Sequence, residues 1–232
     1  MFNFFKKNEI ENESVSAVKL EKVLSLADQI INTNPKAIKQ FVALLGRKYQ
    51  SEYMVKLASA YNEHKVPKLD PQVVWFSEFT QLNAAGDTLH SIKKKLNIDV
   101  TLKLSCDMVL PWPWDTERIV KNLSYIGKGK VRGDWFQDNN HKVELWLPFG
   151  LGWVHGGNHS IASGILQGDG IIKPTNIYDV SSVFDLVKFD GNYFIRIEDG
   201  ERISNKVVDF EFAAVFEVGR LIHKKDLNLY TS

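Results

Sequence analysis

Apolar residues recur at helical spacing along the first hundred residues of the chain. Between positions 15 and 31 they follow one another at three- and four-residue intervals, which places them on one face of an α-helix. Asn34-Pro35 ends this pattern, and Pro35 suits the first position of a following helix. We therefore predict three helices, over residues 15–31, over residues 36–62 with Gly46 as a weak point, and over residues 72–96 with an interruption at 86–87 and Asp70 as the cap.

After residue 97 the pattern changes to short apolar or alternating runs, separated by glycine and proline. Such runs predict strands with short helices between them. The predicted strands cover residues 101–110, 142–147, 151–155 and 193–197, with one further strand suggested by residues 171–172 and 177–178. The predicted helices cover 116–125, 158–166 and 209–223. The order of the elements predicts an α+β fold, with a flexible tail over residues 1–14, an α-helical N-terminal region over 15–98 and a small mixed-sheet domain over 101–232.

Composition indicates a folded chain and argues against DNA and membranes as binding partners. Hydrophobic residues make up 44% of the sequence, including six tryptophans, which is enough apolar bulk for a sizeable core. The net charge of +1 gives no overall attraction to DNA or to an acidic membrane, so a DNA partner is not favoured. No apolar run reaches the roughly 18 residues of a membrane helix. The single cysteine, Cys106, excludes an intrachain disulfide and fits a reducing compartment, so we expect a cytoplasmic protein without a membrane partner.

The segment with the clearest chemistry is Gly156-Gly157-Asn158-His159-Ser160. It lies where a predicted strand turns directly into a predicted helix. The first backbone N–H groups of a helix have no intrahelical acceptor, and the helix dipole places partial positive charge there. The two glycines let a ligand approach the main chain, so the turn predicts an anion site, and phosphate is the anion that suits it best. The simpler alternative is a tight turn in which Asn158 or Ser160 caps the helix.

The same five residues resemble the nucleotide-phosphate motif of the ParB/sulfiredoxin fold family. Sulfiredoxins carry Gly-Gly-Cys-His-Arg at this turn, and the family places a helix, a loop and a strand before it, an order that residues 105–175 share. The resemblance implies a ParB/sulfiredoxin-like α+β domain and a nucleotide or other phosphorylated ligand, with Mg²⁺ if the ligand is a nucleotide. By analogy of fold alone it also implies nucleotide hydrolysis, phosphotransfer or nuclease activity.

Two positions depart from the family motif. Asn158 replaces the cysteine, which excludes the thiol chemistry of sulfiredoxins, and Ser160 replaces the arginine that would bind phosphate in a bidentate manner. The glycine-rich loop over residues 127–133 offers Lys128, Lys130 and Arg132 as substitute cations. The alternative for this loop is a solvated connection between a helix and a strand.

Histidines and nearby carboxylates are the candidate chemical groups around the turn. His159 is expected to hydrogen-bond a phosphate oxygen or to act as a general acid or base, which makes it the candidate catalytic residue. His155 and His159 flank the glycines, with His141 upstream, and a histidine pair could bind a metal. No metal-site motif accompanies them, so no metal ligands are predicted, and His155 is more simply the end of a buried strand. Asp134 and Asp138 could bring a carboxylate to a nucleotide-bound Mg²⁺, or lie solvated in a polar loop.

Trp112 and Trp114 alternate with prolines just before the predicted helix over residues 116–125. They could stack on a base, but packing as a lid over the core is the favoured interpretation. The sequence as a whole predicts a bacterial cytoplasmic protein that binds a nucleotide or other phosphorylated ligand at residues 156–160. The alternative is a non-catalytic nucleic-acid-associated or protein-interaction protein of a bacterial or phage system, in which surface lysines of the N-terminal helices bind the partner.

Overall fold

The computed structural model of the chain describes residues 2–69 and 71–230, and they form the α+β fold that the sequence predicts. The helices are α1 (Phe2–Thr33), α2 (Ile38–Ser59), α3 (Pro71–Val74), α4 (Leu89–Ile92), α5 (Thr116–Tyr125), α6 (Asn158–Gln167) and α7 (Phe210–Lys224). The strands are β1 (Lys94–Lys95), β2 (Leu102–Lys103), β3 (Met108–Leu110), β4 (Lys142–Leu147), β5 (Leu151–Gly156), β6 (Ile171–Ile172), β7 (Asn176–Asp179), β8 (Val187–Phe189) and β9 (Phe194–Arg196). The predicted helix over 116–125 and strand over 142–147 are confirmed to the residue.

The central sheet has five strands in the order β1-β7-β4-β5-β3. The middle pair, β4 and β5, is antiparallel, whereas β3 runs parallel to β5 and β7 runs parallel to β4. Two small antiparallel ladders, β2–β6 and β8–β9, complete the strands. Because β3 and β5 are parallel neighbours, their carboxyl ends lie at the same edge of the sheet. In mixed and parallel sheets this edge is the usual place for a ligand crevice, and α5 and α6 both begin there.

The two faces of the sheet bury two different clusters of apolar side chains. Along β5, Trp153 belongs to the larger cluster and the next residue, Val154, belongs to the smaller one, as the two-residue period of a strand requires. The larger cluster is rich in aromatic rings, and Trp75 lies at its centre against Trp153 and Phe216. Helices α1, α2 and α7 contribute to this face, and α6 contributes Ile161 to the other.

The predicted boundary near residue 100 does not divide the core. Leu20 of α1 and Leu57 of α2 lie in the same buried cluster as Phe212 of α7. In addition, β1, which precedes the predicted boundary, pairs with β7 of the central sheet. Residues 15–98 therefore cover the aromatic face of the sheet, which would otherwise be exposed to water.

Helix α1 begins at Phe2, so the structure continues the helix through the segment expected to be a flexible tail. Residues 2–33 contain neither glycine nor proline, and their many lysine and glutamate residues favour a helix. Although α1 is 32 residues long, no helix in the described part of the chain combines the length and apolar character that a membrane crossing needs. Helix α2 likewise continues through Gly46, the weak point that the sequence predicts.

The helix predicted over residues 72–96 is wrong, because only the short helices α3 and α4 form there. Trp75 and Phe76 leave α3 and enter the core, so burial overrides the helical spacing. Gly86 then turns the chain with a φ of 86°, and the side chains of Thr88 and Ser91 form a capping box that starts α4. The predicted cap, Asp70, lies outside the described residues.

Candidate anion-binding site

The turn between β5 and α6 is built on Gly157. This residue is the N-cap of α6 with a φ of 77°, a left-handed conformation that favours glycine. A Cβ atom at Gly157 would lie 2.4 Å from Cδ2 of His141, so close packing also requires glycine there. Neither Asn158 nor Ser160 is the cap, contrary to the simpler alternative from the sequence. Gly157 has no side chain that could cap α6, and the first N–H groups of a helix have no acceptor within the helix.

Asn158 and His159 are buried, with 2% and 6% of their surfaces exposed, and both accept hydrogen bonds from the segment before α5. The Oδ1 atom of Asn158 accepts from the backbone N–H of Trp112 at 2.8 Å. The Nε2 atom of His159 accepts from the backbone N–H groups of Trp114 at 3.3 Å and Asp115 at 3.1 Å. These bonds hold the start of α5 against the start of α6.

The geometry of His159 changes its predicted role. An Nε2 atom that accepts from backbone donors carries no proton, so this atom cannot donate to a phosphate oxygen. The imidazole also packs edge-on against the Trp114 ring, with centroids 4.7 Å apart. His159 therefore joins two helix starts, and the donor role predicted for it is not available at Nε2.

A pocket of about 550 Å³ opens in front of the turn. We call it the GGNHS pocket after residues 156–160, all of which line it. The remaining lining residues come from α5 and from the loops around it: Trp114, Arg118, Lys121, Asn122, Ile126, Arg132, Asp138, Asn140 and His141. Among these, Arg118, Lys121 and Arg132 are cationic and Asp138 is acidic, so the lining has an excess of positive charge.

Of the three cations predicted in the loop over 127–133, only Arg132 lines the GGNHS pocket. The Nζ atom of Lys130 donates to the carbonyl oxygen of Leu123 and, at 3.3 Å, to Oε1 of Gln167, so this lysine ties the ends of α5 and α6 together. Lys128 is exposed and outside the lining. The loop closes on itself through a 2.7 Å bond from Gly127 N–H to the Gly133 carbonyl, which limits how far its side chains reach.

The sequence interpretation missed the cations of α5. Arg118, Lys121 and Asn122 have the spacing i, i+3 and i+4, which places them on one face of a helix. All three line the GGNHS pocket. The helix predicted over residues 116–125 already places these three side chains on one face. The sequence does not show that this face is turned toward residues 156–160.

The sequence offers His141 only as a possible metal ligand, whereas the structure makes it an unusual group of the pocket. Its side chain is 3% exposed, and its Nδ1 atom accepts from the backbone N–H of Asp138 at 2.7 Å. Burial lowers the pKa of His141 against the raising effect of Asp138. The Nδ1 atom also lies 3.0 Å from Oδ1 of Asp138, but the backbone N–H group is directed at it as a donor, so we assign the ring proton to Nε2. This buried Nε2–H group has no hydrogen-bond acceptor among the described residues.

The remaining candidates lie around the pocket at different places. Asp134 and Asp138 line a narrower pocket of about 80 Å³ beside it, together with His141. His155 is exposed and lines a different pocket, so the structure does not bring it to His159. Trp114 borders the GGNHS pocket, whereas Trp112 packs against the core and donates from Nε1 to the Val154 carbonyl at 2.9 Å.

Comparison with known proteins gives a family but no function. No curated protein and no solved structure matches the chain. A family described as "Family of unknown function (DUF6710)" matches residues 4–229, nearly the full length of the chain. The protein therefore belongs to the DUF6710 family.

Proposed function

We propose that this protein binds a phosphorylated small molecule in the GGNHS pocket, with the phosphate on the first-turn N–H groups of α6. One observation carries the proposal: His141 lines the pocket in which α6 begins, and its buried Nε2–H group has no acceptor among the described residues. A buried donor without an acceptor costs about 1–3 kcal/mol. An anion bound beside Gly157 would supply the missing acceptor.

The charges around the pocket support an anionic ligand. Arg118, Lys121 and Arg132 line it, and the N-terminus of α6 adds the positive end of a helix dipole. Arg118 lies 3.8 Å from the Asp115 carboxylate in a largely exposed pair, which is weak enough for the guanidinium to turn toward a ligand. A planar guanidinium from α5 can thus replace the arginine that the motif lacks at Ser160.

In this arrangement the two histidines have separate tasks. His141 donates to the phosphate, and His159 positions the start of α5 so that Arg118 and Lys121 face the turn. The relationship to the ParB/sulfiredoxin fold stays a prediction. So do a nucleotide ligand with Mg²⁺ and a reaction such as nucleotide hydrolysis, phosphotransfer or nuclease cleavage.

Calorimetric titration with inorganic phosphate and ribose 5-phosphate tests the proposal. Arg118→Ala and Lys121→Ala should each weaken binding about tenfold or more, because a hydrogen bond to a charged group contributes about 1.5–3 kcal/mol. Lys128→Ala is the matched control, since it removes an exposed cation from the neighbouring loop outside the pocket lining. Equal affinities for the wild type, the control and the Arg118→Ala/Lys121→Ala double variant would contradict the proposal.

A further inference from the structure

A second pocket, of about 230 Å³, opens at the same end of β5. Trp153, Val154 and His155 line it, and the residues that follow them in the chain line the GGNHS pocket. Phe79 and Trp112 add two further aromatic side chains to the lining. We call this cavity the ring pocket.

The ring pocket offers aromatic surfaces for stacking, and one of its lining tryptophans has a buried indole N–H group. Phe79 is 71% exposed although it is a large apolar side chain. Trp153 is 1% exposed, and its Nε1–H group has no acceptor among the residues that the structure describes. Aromatic faces at the pocket suit a planar ring that stacks on them, which is the chemistry of a nucleobase.

One pair of tryptophans separates the ring pocket from the GGNHS pocket. The centroids of the Trp112 and Trp114 rings are 5.2 Å apart, with Trp112 lining the ring pocket and Trp114 lining the other. The backbone N–H of Trp112 donates a hydrogen bond to Asn158 at the start of α6. A ligand that passes around this pair could therefore occupy both pockets at once.

We propose that the ring pocket holds the base of a nucleoside monophosphate whose phosphate lies in the GGNHS pocket. This inference rests on the proposed phosphate site and adds the class of ligand. Lys68 is exposed and places its Nζ atom 4.6 Å from the centre of the Trp112 ring, so its flexible side chain moves aside when a base stacks there.

The test compares the four common nucleoside 5′-monophosphates with ribose 5-phosphate, which has the sugar and phosphate but no base. At least one nucleotide should bind about tenfold tighter than ribose 5-phosphate, because stacking on one aromatic side chain contributes that much. Phe79→Ala should remove most of this difference and leave the affinity for ribose 5-phosphate unchanged. Tyr61→Ala is the control, since Tyr61 is a fully exposed aromatic residue outside the lining of both pockets.

The outcomes separate the two proposals. If ribose 5-phosphate binds as tightly as every nucleotide, or if Phe79→Ala leaves the preference for the nucleotide intact, the ring pocket does not hold a base while the phosphate site stands. If none of the phosphate compounds binds, the phosphate site fails and the ring-pocket proposal fails with it.

Discussion

At the scale of single residues, two buried histidines with opposite hydrogen-bond states define the candidate site. His159 accepts from two backbone donors at Nε2, whereas His141 keeps its Nε2 proton and finds no acceptor among the described residues. The sequence shows neither state, because the state of a histidine depends on which groups the fold places around its ring. For this reason our proposal assigns hydrogen-bond donation to the phosphate, the role predicted for His159, to His141.

Burial of His141 predicts a loss of stability in mild acid. Its pKa in the folded chain lies below the ordinary value of 6.5. The unfolded chain therefore binds more protons just below that pH, and the free energy of unfolding falls as the pH drops from 6.5 toward the lowered pKa. Urea midpoints in phosphate-free buffer should fall between pH values of about 7.5 and 5.5. His141→Asn should flatten this fall, whereas His155→Asn, at an exposed histidine, should retain it.

Loss of the His159 ring should destabilise the fold. His159→Ala leaves the backbone N–H groups of Trp114 and Asp115 without their acceptor, at a cost of about 1–3 kcal/mol in the free energy of unfolding. Urea denaturation measures this cost, and His155→Ala is the matched control. An unchanged midpoint for His159→Ala would show that His159 does not hold the start of α5.

At the scale of elements, helix α7 closes the aromatic face of the sheet, and one of its glycines is required by packing. Asp209 caps the helix by accepting from Phe212 N–H at 2.8 Å, and Lys48 of α2 lies 3.2 Å from the same carboxylate. Further along α7, a Cβ atom at Gly219 would lie 2.2 Å from the buried Phe149 ring. The helix therefore approaches Phe149 as closely as its backbone allows.

Gly219→Ala should lower stability, the reverse of the usual effect in a helix. An alanine in place of glycine normally gains up to about 1 kcal/mol in a helix interior. Here the added methyl group must displace the Phe149 ring, and overpacking of this kind costs about 1–3 kcal/mol. The urea midpoint should fall for Gly219→Ala and stay nearly constant for Ser51→Ala, on the exposed side of α2. A higher urea midpoint for Gly219→Ala would contradict this prediction, because it would mean that the Phe149 ring can move at little cost in free energy.

Elements with local signals were predictable, and elements decided by tertiary burial were not. The helix over 116–125 has its cap in Asp115, and the strand over 142–147 alternates in polarity, so each was confirmed. The segment over 72–96 has helical spacing, but Trp75 and Phe76 enter the core instead. The turn at residues 156–160 was found from its glycines, whereas the cations of α5 required knowledge of how two helix starts converge.

At the scale of the whole molecule, the helical and sheet-containing regions share one core. Leu20, Leu57 and Phe212 lie in the same buried cluster, although they come from opposite ends of the chain. A fragment over residues 99–232 should therefore lack a cooperative thermal transition and aggregate, because it exposes the aromatic face that α1 and α2 cover. Circular dichroism during heating checks this, with the full chain as reference. A cooperative transition in the fragment would contradict this prediction and would support a separate domain that begins near residue 100.

The measurement that tests the central claim most directly is a phosphate titration followed by nuclear magnetic resonance of ¹⁵N-labelled protein. The phosphate site predicts that the largest saturable shifts occur at the backbone amides of residues 158–160 and at the Nε2 atom of His141. A saturable response confined to a separate pocket that Lys36, Lys39 and Lys103 line, or no saturable response at the α6 turn, would contradict it.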